Sequence, residues 1–509
     1  MYKFIDELKK LYSVKEYDGI KEAEKPLFSQ LERNINELSL RFRSSADLTI
    51  RRIRLGQRQA AVVNIDNMIN KDILALGILK PLLGYGFDGE GDILKTIKEE
   101  ILFTDDLTEA LTFEQLESNI MSGFVGIIVD GLSTALCIGI QGYESRGISE
   151  PDSDVVQRGS KEGFVEPLRI NISLIRRRIK NPRLHFETMN IGKVSKTEVC
   201  LCYLSGVASY GIVARVKKRL KKADINTVLT SGSVAAFLED RRDISFFRAV
   251  GISQRPDTVC GKITEGRIAV IIDGIPSVLV VPYLFSEYFQ TLDDYSNRAY
   301  FATFTRWLKY CAFFISILLP GLYVSLGTFD PEMFPTLMLN KIAGSIASTP
   351  LSLMSETVLI LLVYELMRES GLRMPSPLGY AVSIVGGLVV GDTAINAGLI
   401  GAPTLMVVAV TAICSYVLPD LYAPCAVLRI IFTVVGGLMG VWGTAVLLCV
   451  VLVGICSKNS FGIPFTSPIS PFGSVLFRDV IIRAGSRVLS GKTNPVQYMP
   501  GSENKEDRS

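Results

Sequence analysis

The chain has 509 residues, 48% of them hydrophobic, and its 54 Lys and Arg against 51 Asp and Glu leave a net charge of +3. So even a balance carries no electrostatic footprint for nucleic acid, which is not expected as a partner. The nine Cys show no pairing pattern, and the single histidine, His185, leaves little basis for a zinc centre or His-based catalysis.

Charge is uneven: roughly the first 300 residues are charged, the next ~160 are apolar and the tail is polar again. Residues 1–50 are charged and helix-prone with a break at Pro26, and are expected to form an N-terminal arm, a loosely ordered part followed by a helix. The opening MYKFIDELKK has no apolar core of the kind a signal peptide needs, so the N-terminal region is expected in the cytosol. Residues 51–155 predict a first α/β subdomain. Within it, two β-rich runs flank Asp130-Gly131, a strong hairpin signal with an expected type I′ turn. The pattern returns in residues 266–283 around Asp273-Gly274, and GIIVDGLSTALCI nearly superimposes on AVIIDGIPSVLVV. Related subdomains, perhaps duplicated, are the favoured reading over two chance hairpins.

Residues 145–166 read as a linker. The second subdomain is expected over residues 156–297. It opens on a basic amphipathic helix, LRINISLIRRRIKNP, with Leu168, Ile172, Ile175 and Ile179 as its apolar stripe and Pro182 as its stop. His185 reads as an ordinary surface histidine. KTEVCLCYLSGVAS follows as a buried strand with Cys200 and Cys202 on one face, and YGIVARVKKRLKKADI is a second basic helix. Both basic faces suit solvent, anionic lipid headgroups or an acidic partner.

Residues 298–456 predict a helical membrane domain of five apolar stretches: 307–326, 351–367, two within 381–419 split at Gly401-Ala402-Pro403, and 428–456. Arg298, Arg306 and Lys309 before the first stretch fix the N-terminal side as cytoplasmic. The second stretch carries two intramembrane acids, Glu356 and Glu365. The fifth has Gly436, Gly440 and Gly443 as a packing edge. Five crossings would leave the tail, residues 457–509, outside. Its Arg478, Arg483, Arg487 and Lys492 argue for a cytoplasmic tail. One stretch is therefore expected to be broken or re-entrant, the third or fourth being favoured.

The third stretch has two stripes. Gly387, Gly391, Ala394 and Gly398 form a bare flank for helix packing, and Val385, Val389, Asp392 and Asn396 lie roughly 200° away. The second stripe suits a gated pore, with a valine constriction before polar groups. The competing reading faces it to lipid above and to a neighbouring helix below. No catalytic constellation, metal site or cofactor motif is found. GSRVLSGKT, residues 485–493, has one residue too many between its glycines for a P-loop. The chain is not expected to be an enzyme.

Several phrases in order resemble the A subunit of the GerA-type spore germinant receptor family: EGFVEPLRINISLIRRRIKNP, QRPDTVCGKITEGRIAVIIDGIPSVLVVP, FSEYFQTLDDYSNR, YELMRESGLRMPSPLGYAVSIVGGLVVGDTAINAG and FGIPFTSPISPF. The resemblance implies two cytoplasmic α/β subdomains and a multi-pass domain in the inner membrane of a bacterial spore. It also implies a transporter-like B subunit and a lipoprotein C subunit as partners. Self-association, with a pentamer as the expected ring, would make a nutrient-gated ion channel that triggers germination. The chain departs from the family pattern at Ser160-Lys161, at Leu361 where a further Glu is usual, and at Asp392 where an uncharged residue is usual. These departures bear on ion selectivity and germinant range. The alternatives are a secondary transporter or permease component using Asp392 and Glu356, and a structural scaffold.

Overall fold

Leu31, Ile35 and Leu38 recur at helical spacing and form the buried stripe of the first helix, α1 (Leu31–Arg41). The computed structural model to which it belongs describes residues 24–87, 93–102, 104, 106–142, 154, 156–240, 245–374, 391–470, 479–485, 496, 499 and 501. Val385, Gly387 and Val389, residues 145–153 of the linker and residues 486–493 of the P-loop look-alike lie outside the described residues. α1 packs on a five-stranded antiparallel sheet of β1 (Leu48–Leu55), β2 (Arg58–Ile65), β3 (Leu107–Ala110), β4 (Phe124–Val129) and β5 (Ala135–Gly139). The spatial order is β1-β2-β4-β5-β3. α2 (Phe113–Ile120) shares that face, while Leu79, Leu82, Ile97 and Ile101 cover the other. Covered on both sides, β4 can carry the nearly unbroken apolar run FVGIIV. The expected arm therefore ends earlier than residue 50. Leu31, Ile35, Leu38 and Phe42 are buried only because the sheet receives them.

The second subdomain repeats the design. It comprises α3 (Leu168–Arg178), β6 (Leu184–Ile191), β7 (Thr197–Leu204), α4 (Tyr210–Lys221), α5 (Ser231–Leu238), β8 (Gly251–Ser253), α6 (Pro256–Thr264), β9 (Ile268–Ile272) and β10 (Val278–Val281). Its order, β6-β7-β9-β10-β8, is that of the first sheet. Cys200 and Cys202 of β7 are both buried against α3 and α6.

The two Asp-Gly hairpins are present, but their turns are not type I′. The loops run over residues 130–134 and 273–277, and in each only the glycine has positive φ, +90° at Gly131 and +79° at Gly274. The aspartates have a different task. Asp130 Oδ1 accepts the Leu31 N–H at 2.9 Å and Asp273 Oδ1 accepts the Leu168 N–H at 3.0 Å. Each carboxylate thus closes the N-terminus of its subdomain's first helix, where backbone donors lack partners and the dipole favours negative charge. Asn34 and Asn171 match in the same way. Each side chain accepts from and donates to the backbone six residues earlier, at Phe28 and Val165. Shared strand order, one repeated long-range bond and one repeated local one make duplication the economical account of the pair.

Arg176 joins the subdomains. Its Nε and Nη2 donate to the two oxygens of Asp47 at 2.8 and 3.0 Å, and the side chains are 0% and 3% exposed. Ser45 Oγ donates to the same carboxylate at 2.6 Å, and Ala46 N–H donates to Phe186 O across the seam. Arg177 and Arg178 pair with Glu162. Arg176, Arg177 and Arg178 of α3 are therefore engaged in internal ion pairs, while Arg169, paired with Asp66, and Lys180 stay exposed to solvent.

His185 is also not a surface residue. It is buried in β6, edge-on to Tyr203 at 5.3 Å and 3.2 Å from Glu187. Burial pushes its imidazole pKa below the usual 6.5, with Glu187 pulling the other way. The folded chain then holds it neutral, and the unfolded chain takes up the proton first. Stability is full above the unfolded pKa and falls as pH drops through about 6.5 towards the folded value. The thermal midpoint should fall between about pH 7 and pH 5.5. His185→Gln should flatten that slope; an unchanged slope assigns it to other groups.

Beyond the second subdomain the chain enters a helical bundle. α7 (Ala299–Phe329) spans roughly 46 Å and runs away from the subdomain. α8 (Thr336–Ser348) and α9 (Leu353–Arg373) meet at 81° at the far end, and α9 returns from Tyr323 and Val324 towards Tyr422. α10 (Gly391–Asn396) precedes Gly398, which is again at the far end, beside Ser348 O. α11 (Ala402–Tyr416) comes back, from Tyr323 OH···Thr404 Oγ1 to a stacked Tyr416–Tyr422 pair. α12 (Tyr422–Ser457) would be about 54 Å long if straight. Yet Leu421 and Cys425 at its start and Ile455 at its end share one cluster with Phe313. The helix doubles back at Gly440, whose φ of 64° and ψ of −157° lie outside helical space.

The fifth stretch is thus broken, where the sequence favoured the third or fourth; residues 381–390 of the third lie outside the described residues. Gly440 is a point of reversal more than a packing edge, since only a residue without Cβ adopts its backbone readily. By length and composition, α7 and α12 are long and apolar enough to cross a membrane, and the bent α8–α9 pair qualifies as a third span. α11 is shorter than a full crossing needs. The doubled helix brings the tail back beside the second subdomain. There β11 (Asn459–Ser460), β12 (Ile463–Pro464) and residues 496 and 499 put Phe461, Ile463, Val496 and Met499 into its core. Those residues belong to the subdomain and not to a separate tail.

Candidate functional site

Hydroxyls in the bundle are mostly satisfied within their own helices. Thr357, Thr411 and Thr433 each donate to the carbonyl four residues earlier, at 2.7 Å. The groups that cannot be satisfied this way are the acids, the amide and one arginine, and they make the candidate site.

Asp392 and Asn396 stand one turn apart on α10. Both are exposed, and among the described residues neither makes a hydrogen bond or ion pair. Gly391, buried on the same helix, faces Leu405 of α11 so closely that an ideal Cβ would lie 3.3 Å from its Cδ2, a tight contact. The short helix therefore buries its glycine flank in the protomer and turns its polar stripe outwards. Gly398 ends it at φ +65°.

Glu356 is 1% exposed, and its Oε1 accepts the Gly401 N–H at 2.7 Å. Gly401 is the N-cap of α11, so the carboxylate meets the positive end of that helix. A side chain at 401 would collide with Ser345 Oγ, 2.0 Å from an ideal Cβ. Glu365 lies two and a half turns further along α9, on the opposite side. It accepts from Tyr422 OH at 2.7 Å and stands 3.8 Å from Arg429 Nη1.

Arg429 is fully buried in α12, with its Nη atoms unbonded among the described residues and Tyr422 5.4 Å from its guanidinium. Sequence reasoning passed over it. The signal was there: a lone arginine in YAPCAVLRIIFTVVGG, a run otherwise free of charge. It also treated Arg306 and Lys309 as topology markers alone. Both sit at the bundle's base on Asp294, at 2.8 and 3.2 Å, and Arg306 also holds Asp479 of the tail at 2.9 Å.

The remaining glycine, Gly436, meets α7 backbone to backbone. An ideal Cβ there would lie 2.4 Å from Gly321 O, and one on Gly321 would lie 2.6 Å from Phe432 O. No group of three or more His, Cys, Asp or Glu able to hold a metal occurs among the described residues.

Comparison with known proteins finds relatives along most of the chain. Residues 36–494 match the family model described as Bacillus/Clostridium GerA spore germination protein. Spore germination protein KA of Bacillus subtilis (strain 168) is 36% identical, over 91% of this chain and 86% of its own. Spore germination protein B1 of the same organism is 30% identical, over 93% of this chain and 98% of its own. Among solved structures, the N-terminal domain of the A subunit of the Bacillus megaterium spore germinant receptor GerK3 aligns with a TM-score of 0.40 and 28% identity. It covers 52% of this chain and 98% of that one.

Proposed function

The chain belongs to the GerA family of spore germination proteins, and from that premise we propose that it is the channel-forming subunit of a nutrient germinant receptor. It works in the inner membrane of the spore with a transporter-like B subunit and a lipoprotein C subunit. Several copies, five in the favoured arrangement, surround a common pore. The observation that carries this reading is the outward stripe of Asp392 and Asn396, exposed and without partners among the described residues. A carboxylate at membrane depth is costly unless it faces water or a partner. A ring of copies supplies both. Val385 and Val389 would close the resting pore by dewetting, and Asp392 would favour cations once nutrient binding moves the packed helices.

Reconstitution of the receptor in planar bilayers tests this. Asp392→Asn is expected to lower cation-over-anion selectivity, and Val389→Ala is expected to leak ions without nutrient. A tight, fully nutrient-dependent Val389→Ala variant removes the stripe as the valve. A secondary transporter is the second reading, favoured by Glu356 at the start of α11, the arrangement of a coupling site beside a broken helix. Flux limited to carrier turnover, from a protomer that forms no ring, selects it.

A further inference from the structure

The second basic helix, α4, has a use that the channel reading does not absorb. Its apolar stripe, Ile212, Val213, Val216 and Leu220, is buried in the core of the second subdomain. Its other side, with the end of α5, forms an open cleft of about 850 Å³. Four cations line it, Arg215, Lys218, Arg219 and Lys222, against two acids, Glu239 and Asp240.

Both acids are already engaged. Asp240 accepts from Arg219 at 2.6 Å. Glu239 accepts the Ala249 N–H at 2.8 Å and lies 3.9 Å from Lys458. Arg215, Lys218 and Lys222 have no acid within ion-pair distance among the described residues. Among the described residues, the cleft therefore holds an excess of positive charge. Lysines near a helix C-terminus also complement its dipole, but that accounts for their place on the helix and not for a concave cluster.

Position identifies the partner. Lys458, which touches the cleft's Glu239, is the residue that follows α12 out of the bundle. Phe461, three residues on, lies flat beneath the Arg219 guanidinium at 4.5 Å, and Gly462 leaves room for Arg215. The cationic wall is thus fixed to the segment that leaves α12, a helix long and apolar enough to cross a membrane, at the end where the headgroups of the leaflet beside the second subdomain would lie.

We propose that this cleft binds the phosphate of an anionic phospholipid headgroup in that leaflet. The guanidinium of Arg215 and the ammonium groups of Lys218 and Lys222 supply the donors. The half-buried Phe237 supplies an apolar wall for the glyceryl part.

The test titrates the full chain in neutral detergent with short-chain phosphatidylglycerol, phosphatidylcholine of equal chain length, or inorganic phosphate, following the thermal midpoint. Phosphatidylglycerol alone is expected to raise it. Lys218→Ala/Lys222→Ala should weaken that affinity about thirty-fold, roughly fivefold for each lysine beside an anionic surface. Both lysines are solvent-exposed, so the variant should keep the parent's midpoint without lipid. Lys95→Ala, exposed on the first subdomain, should bind as the parent does. Three results overturn the proposal: an equal response to phosphatidylcholine or inorganic phosphate, undiminished affinity in the double variant, or binding of polyglutamate in place of lipid. The last assigns the cleft to an acidic protein.

Discussion

Replacing Arg176 by methionine is expected to destabilise the folded chain by about 3–5 kcal/mol, the usual cost of breaking a buried ion pair from one side. The cost arises from what stays behind. Asp47, 3% exposed, would lose two of its donors, with Ser45 left as the remaining side-chain donor among the described residues. Two backbone carbonyls, of Asn181 and Leu184, would lose the guanidinium as well. Because the pair spans the seam between the subdomains, the two should also melt less cooperatively. Denaturant unfolding of the full chain in detergent measures this. The double variant Asp47→Leu/Arg176→Met removes both charges and should recover most of the loss. A single variant within about 1 kcal/mol of the parent would show the pair to be dispensable.

Gly436→Val should also destabilise, through the bundle. Its new Cβ would overlap the carbonyl of Gly321, a main-chain atom that cannot swing aside as a side chain can. α7 and the first limb of α12 would have to part, and overpacking of this kind costs on the order of 1–3 kcal/mol or more. Gly454→Val is the matched control. It lies in the same helix with nothing within 4 Å of an added Cβ. Thermal stability of the two full-length variants should separate clearly. If both behave like the parent, the helices are not held in close contact at Gly436.

Local periodicity made much of the fold legible. The Asp-Gly pairs announced both hairpins, and the short apolar run in KTEVCLCY gave a buried strand. The partners of those residues were hidden because they are remote in sequence. Asp130 reaches Leu31 and Arg176 reaches Asp47, and no spacing rule connects them. Read alone, the arginines of α3 look like a solvated face for the same reason. The reversal in α12 was masked by its own composition. Apolar residues continue on both sides of Gly440, and what distinguishes a hairpin from a long helix is the return of Ile455 to Phe313. The site was partly legible. Isolated acids in apolar stretches stand out, but which way each one faces depends on neighbours that the stretch does not contain.

The completion of the second subdomain by Phe461, Ile463, Val496 and Met499 has a bearing on how the protein is made. A ribosome releases residues 156–297 long before it has translated the strands that fill their groove. Until the last hydrophobic helix has been handed to the insertion machinery, that half of the soluble region carries a raw, sticky furrow. Chaperones and proteases can therefore read, in one place, whether the membrane portion has been delivered intact.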